Sequence, residues 1–191
     1  HLGRLKKVDL REFFKDEARD FTPWLAEENN LELLGETLGI DIELEDTEVR
    51  IGKFSADIVG LDRSSNRTII IENQLEKTNH DHLGKIITYG GGKDAGIVIW
   101  ICKKIQQEHR KGLDYLNDIS TEDYSFFGIE MELWRIGQST PAPKFNIVVS
   151  PNEWSKSVKS ATSTTRTLTD TKILQKEFWT ELKDYFTDNN T

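Results

Sequence analysis

Several features that would settle the class of this chain are missing from it. It has one cysteine, Cys102, which excludes an intramolecular disulfide and any Cys-cluster zinc site. No apolar run approaches the ~20 residues of a membrane span, and no membrane partner is expected. The longest run, Gly96 to Cys102, is strand-sized. There is no excess of positive charge: 25 Lys and Arg face 33 Asp and Glu, for a net charge of -8 and a pI of about 5.1. That excludes a basic protein that coats nucleic acid regardless of its sequence. No internal repeat, no signal peptide and no Ser/His/Asp spacing suited to a nucleophilic triad is visible. The chain starts at His1 rather than Met, as a processed product or a fragment does, and a cytoplasmic location is expected. What is abundant is bulky core material, with five Trp, nine Phe and four Tyr in 191 residues. A chain of this length buries roughly 70% of its unfolded surface and needs no covalent staple.

Charge and composition change near Ser150. Residues 1–150 hold 19 Lys and Arg against 27 Asp and Glu, and residues 151–191 hold 6 against 6, so the whole negative excess lies in the first part. Between Ser155 and Thr171, 10 of 17 residues are Ser or Thr, which predicts a linker over 151–171. Beyond it Leu174, Phe178, Leu182 and Tyr185 recur at helical spacing, so 172–191 reads as an amphipathic helix, the start of a second domain or an element docked on the core.

Within 1–150, Asp9 with Glu12 predicts a capped helix start, and Leu10, Phe13, Phe14 and Phe21 a buried stripe. Thr22-Pro23 predicts a second helix running to Gly39, broken near Asn29-Asn30. The period then becomes two. Strands are predicted over 40–45, 49–51, 54–61 and 68–74, with a turn at Asp62–Asn66. A helix over 81–89, a glycine loop, a doubly buried strand over 96–102, a helix over 106–117 and strands over 126–135 and 144–149 follow. The order predicts an α/β fold, a mixed central sheet flanked by helices.

A carboxylate interrupts each of two apolar strands, Asp57 in Phe54–Ile58 and Glu72 in Ile69–Gln74. Glu72 and Gln74 share a face, being two apart. A register that sets Asp57 opposite Glu72 brings two like charges together, and one must protonate or a cation must join them. Mg2+ (or Mn2+) suits such a pair, leaving room for phosphate and water. The same spacing also fits two strand-end carboxylates facing solvent. His80 and His82 flank Asp81 before the helix, as phosphate or metal contacts or as exposed imidazoles at a helix start. His109 reads as a helix-surface residue and Cys102 as a small core residue. Gly90–Asp94 lacks the spacing of a phosphate-binding loop.

Asp57, followed fifteen residues on by Glu72-Asn73-Gln74, resembles the PD-(D/E)xK nuclease signature of restriction enzymes, Holliday-junction resolvases and RecB-type exonucleases. Lys85-Ile86-Ile87-Thr88-Tyr89 is similar to the RecB-type QxxxY motif, with Lys85 for Gln. The run Ile71–Gly84 resembles an uncharacterised bacterial and archaeal family that joins such a nuclease-like domain to a C-terminal domain of unknown function. Trp179–Phe186 resembles the start of that second domain. The resemblance implies a restriction-endonuclease-like fold over 1–150 and metal-dependent hydrolysis of DNA, with roles in restriction, repair or defence. It implies Mg2+ at Asp57 and Glu72, a helix carboxylate from Glu36 or Glu27, and Gln74 placing the attacking water. It also implies that Lys85 and Tyr89 face the phosphates, with His80 and His82 beside them. Cutting both strands takes two sites, which a homodimer supplies. Gln74 stands where the signature has Lys; an amide hydrogen-bonds but carries no charge. The alternative is a nuclease-fold module that binds DNA or protein without cutting.

Overall fold

A computed structural model describes residues 2–92 and 95–151, all within the unit His1–Trp154. Apart from Pro151, the linker expected over 151–171 and the helix expected over 172–191 lie outside the described residues.

The chain forms one seven-stranded mixed sheet with helices on both faces. The strands are β1 (Leu5–Val8), β2 (Ile42–Ile51), β3 (Phe54–Asp62), β4 (Arg67–Lys77), β5 (Ile97–Lys104), β6 (Ser125–Ile136) and β7 (Ala142–Val149). Their order is β1-β6-β5-β4-β3-β2, and β7 also pairs with β6. β2, β3 and β4 form an antiparallel meander, whereas β4, β5 and β6 run parallel. Leu133 and Trp134 pair with both β1 and β7, which therefore flank β6 on opposite sides. The helices are α1 (Leu10–Phe13), α2 (Thr22–Leu25), α3 (Glu28–Leu38), α4 (His80–Gly92) and α5 (Gln107–Ile119), with a π-helical turn at Glu17–Phe21.

Alternation along the central strands divides the core in two. Ile69, Ile71, Leu75, Ile97, Ile99 and Ile101 face α1–α3, packing on Phe14, Phe21, Leu25, Leu31 and Leu34. Ile70, Val98 and Trp100 face the other way, on Ile86 and Tyr89 of α4 and Leu113 of α5. The doubly buried run Ile97–Cys102 is thus the central parallel strand. Among the described residues no helix is long and apolar enough to cross a membrane.

Several boundaries differ from the expectation. The strands expected at 40–45 and 49–51 are one, β2, which absorbs a register shift between Leu44 and Asp46 and turns into β3 at Gly52, where φ is +62°. The short strand β1 replaces a purely helical opening. Its Leu-Lys-Lys-Val has no period-two pattern, and it forms because the second half of β6 offers an edge. Asp9 does cap α1, accepting from the Arg11 N–H at 2.9 Å, but Phe13 turns to solvent. Thr22 is the first residue of α2 rather than its cap, and the break before α3 comes at 26–27. The expected stop at Gly39 holds, with φ +71°. Gly90–Gly92 close α4 instead of forming a loop. A Cβ on Gly90 would lie 3.2 Å from the Phe126 ring, so glycine lets the helix end approach β6.

Candidate active site at a strand fork

β3 and β4 pair from Asp62↔Arg67 to Ile58↔Ile71 and then part. β4 runs on to Lys77 against β5. Its N–H groups on the β3 side thereby lose their ladder acceptors, and buried N–H groups must find others. Carboxylates take two of them. Asp57 Oδ2 accepts from the Asn73 N–H at 2.6 Å, and Glu17 Oε2 accepts from the Leu75 N–H at 3.2 Å. Residues two apart point their N–H groups the same way, so Asp57 and Glu17 approach one edge of β4. Glu17 reaches it as the first residue of the π-helical turn, a helical irregularity common at functional sites.

Glu72 lies on the face of β4 that meets α4 and is fully buried. Its Oε1 is 2.5 Å from Lys85 Nζ, and its Oε2 has no hydrogen-bond partner among the described residues. Gln74, on the same face and 4% exposed, likewise has its Oε1 without a partner there.

Three carboxylates thus share a half-buried fork with one ammonium. Burial first, and then the charge of Glu72, pushes the Asp57 carboxyl up to about 7, against the pull of the Asn73 N–H and Lys85. Burial also raises Glu72, with Lys85 opposing, and raises Glu17. Burial disfavours the charge of Lys85, but Glu72, Asp57 and Glu17 outweigh it and hold the ammonium. Full ionisation would leave two negative charges uncompensated. An orphaned, buried carboxylate oxygen beside that excess fits a divalent cation with hard oxygen ligands. Among the described residues no group of three or more His, Cys, Asp or Glu side chains is placed to hold an ion unaided. The protein ligands are then the Asp57 and Glu72 carboxylates, with water and phosphate completing the shell.

The structure therefore brings Asp57, Glu72 and Lys85 together and does not bring Glu36 to them. Glu36 is exposed and lines a groove of about 580 Å³ between α3 and β2, with Glu28, Glu32, Asp41 and Glu43. Glu27 is exposed too, and takes a hydrogen bond from Asn30 Nδ2 at 3.3 Å. The helical carboxylate at the fork is Glu17. Nothing in the sequence sets it apart from Glu12, Asp16 and Asp20; only its contact with Leu75, 58 residues away, does. Tyr89, expected to face phosphates, is fully buried. Its hydroxyl donates to the Ser55 carbonyl at 2.8 Å and so ties α4 to the start of β3.

The histidines form a second layer. Asn79 Oδ1 accepts both the His82 backbone N–H and its Nδ1, each at 2.9 Å, and so caps α4. The His82 ring lies parallel to Trp100, 6.3 Å between centroids and 10° apart. Its Nε2 is 3.7 Å from Glu72 Oε1. Burial and then Lys85 push its pKa down to about 4, so the ring is neutral and this contact is no ion pair. His80 is exposed and bonds through Nδ1 to His109 Nε2 at 2.8 Å. His109, expected on the surface, is buried: with Leu113 it forms the inward stripe of α5, and its Nδ1 meets Thr78 Oγ1 at 2.7 Å. Cys102 is a buried core residue, as expected.

No protein-family model matches the sequence, and no curated protein matches it. Two solved structures share part of the fold. One is a repair endonuclease from Pyrococcus abyssi, at 14% identity and a TM-score of 0.38, over 47% of this chain and 42% of that one. The other is EndoMS in a complex with double-stranded DNA, at 16% identity and a TM-score of 0.39, over 55% of this chain and 44% of that one. The matched region thus spans less than half the length of either structure.

Proposed function

We propose that the domain is a metal-dependent hydrolase of phosphodiester bonds in DNA, of the restriction-endonuclease-like class. The observation that carries this reading is the fork itself. Asp57 and Glu72 converge where β3 leaves β4, with a buried free oxygen on Glu72 and a charged Lys85 beside it. A divalent cation bound by the two carboxylates supplies Lewis acidity toward a phosphate and lowers the pKa of bound water. The chain's own groups do the rest. The Asn73 N–H aims the Asp57 carboxylate, and the Lys85 ammonium holds Glu72 ionised and adds positive charge where a phosphate arrives. The Gln74 amide, with its oxygen unengaged, orients water. Glu17 keeps the end of β4 in place through Leu75. At neutral pH and without a cation, Asp57 holds a proton for part of the time, and cation binding releases it.

The test is cleavage of single- and double-stranded DNA by the full chain in Mg2+ or Mn2+. Loss of cleavage in Asp57→Asn and Glu72→Gln, with the fold intact by circular dichroism, is the expected result. Cleavage that survives both substitutions would overturn the assignment. A second reading, a DNA-binding module that does not cut, draws on the neutral Gln74. It predicts DNA affinity with a clear salt slope and no cleavage under any divalent ion.

A further inference from the structure

His82 is held in one tautomer. Asn79 Oδ1 accepts the backbone N–H of His82, which identifies that atom as the oxygen, and the same oxygen is 2.9 Å from His82 Nδ1. Nδ1 therefore carries the ring proton, and Nε2 is left with its lone pair. The parallel Trp100 ring sets the plane of the imidazole. Within that plane Nε2 stands 3.7 Å from Glu72 Oε1, in a side chain that is fully buried and has its other oxygen free. Two ligands each ~2.1 Å from one ion lie roughly 3.0 Å apart at a right angle and about 4.2 Å apart when opposite. The observed spacing falls between those limits. A histidine that gives one ring N–H to a carbonyl and offers the other nitrogen has the orientation of a metal ligand.

We propose that His82 is a nitrogen ligand of the cation at Glu72 and Asp57, and that the site therefore prefers a borderline transition ion of the Co2+ or Zn2+ class to Mg2+. This rests on the reading of Asp57 and Glu72 as cation ligands and adds the residue that selects the ion. Mg2+ takes oxygen ligands and keeps its waters, so an imidazole gains it little. The later divalent transition ions bind imidazole well.

The experiment titrates the full chain with Co2+ and with Mg2+ by calorimetry and records the visible absorption of bound Co2+. Wild type is expected to bind Co2+ more tightly. His82→Ala is expected to weaken Co2+ by about tenfold or more and to shift its absorption, with Mg2+ changed by less than about twofold. Asn79→Ala, which frees the ring without removing it, is expected to weaken Co2+ by a smaller factor. Binding of both ions that depends on Glu72 but is the same with and without His82 overturns this inference and leaves the metal reading standing. Binding of neither ion, or binding indifferent to Glu72→Gln, overturns both.

Discussion

Two acidic regions of this protein are built from the same residue types and behave in opposite ways. At the strand fork Glu17, Asp57 and Glu72 share one cation, Lys85, and all three carboxyls are pushed up by burial, Asp57 to about 7. In the groove between α3 and β2, Glu28, Glu32, Glu36, Asp41 and Glu43 stand over a floor that includes Leu31 and Ile40. Arg63 there donates from Nε to Glu43 at 2.9 Å, and that hydrogen bond holds the Glu43 carboxyl below its ordinary value. The groove has more carboxylates; the fork has the desolvated ones. Charge in water is screened, whereas charge taken from water must find a proton, a partner or an ion. Chemistry is expected where that pressure exists, and acidity alone does not mark the place.

The largest effect should appear in cleavage. Asp57→Asn or Glu72→Gln is expected to cost about a thousandfold in rate, and Glu36→Gln or Glu28→Gln in the groove nothing measurable. Equal losses in both regions would break the contrast. Next is stability. Lys85→Met leaves Glu72 buried without its cation and should cost about 3 kcal/mol at pH 8 in urea unfolding, and less at pH 5, where Glu72 takes up a proton.

The third is the pH slope of the cation-free protein. Asp57 has a folded pKa above its unfolded value, so its contribution is present below about pH 4 and is lost as pH rises through about 7. Stability should therefore fall by about 2 kcal/mol between pH 5 and pH 8, and Asp57→Asn should flatten that slope. Mn2+ at pH 8 should restore what is lost. Glu43, with a depressed carboxyl, contributes in the opposite sense: its part is present above its ordinary value near 4.5 and lost below it. Thermal unfolding across that range separates the two. The smallest effect is expected from Glu17→Gln. The amide oxygen still accepts the Leu75 N–H, a like charge is removed, and the cation-free protein should gain less than about 1 kcal/mol.

The pair at the fork was legible because period two and a turn at Asp62–Asn66 leave few registers. Ile58 opposite Ile71 makes Asp57 and Glu72 the next pair along. The doubly buried β5 and the stop at Gly39 were legible from run length and glycine chemistry alike. Glu17 was not, because a π-helical turn has no periodic signature and its partner is remote in sequence. Tyr89 misled for a related reason. The helical spacing of Lys85 and Tyr89 puts them on one side of α4, but depth decides exposure, and one turn deeper the ring meets core instead of solvent. His109 likewise carries a polar ring in the inward stripe of α5, where Thr78 and His80 satisfy both its nitrogens.

By itself the sequence determined the alternation, the turns and the sign of the charge, because these depend on a residue and its near neighbours. The tertiary structure alone decided which carboxylates lost water, where β3 leaves β4, and that Lys85 rather than a residue on the strand answers Glu72. Those outcomes depend on packing between segments far apart in the chain, and desolvation is a property of the assembled neighbourhood that no single segment carries.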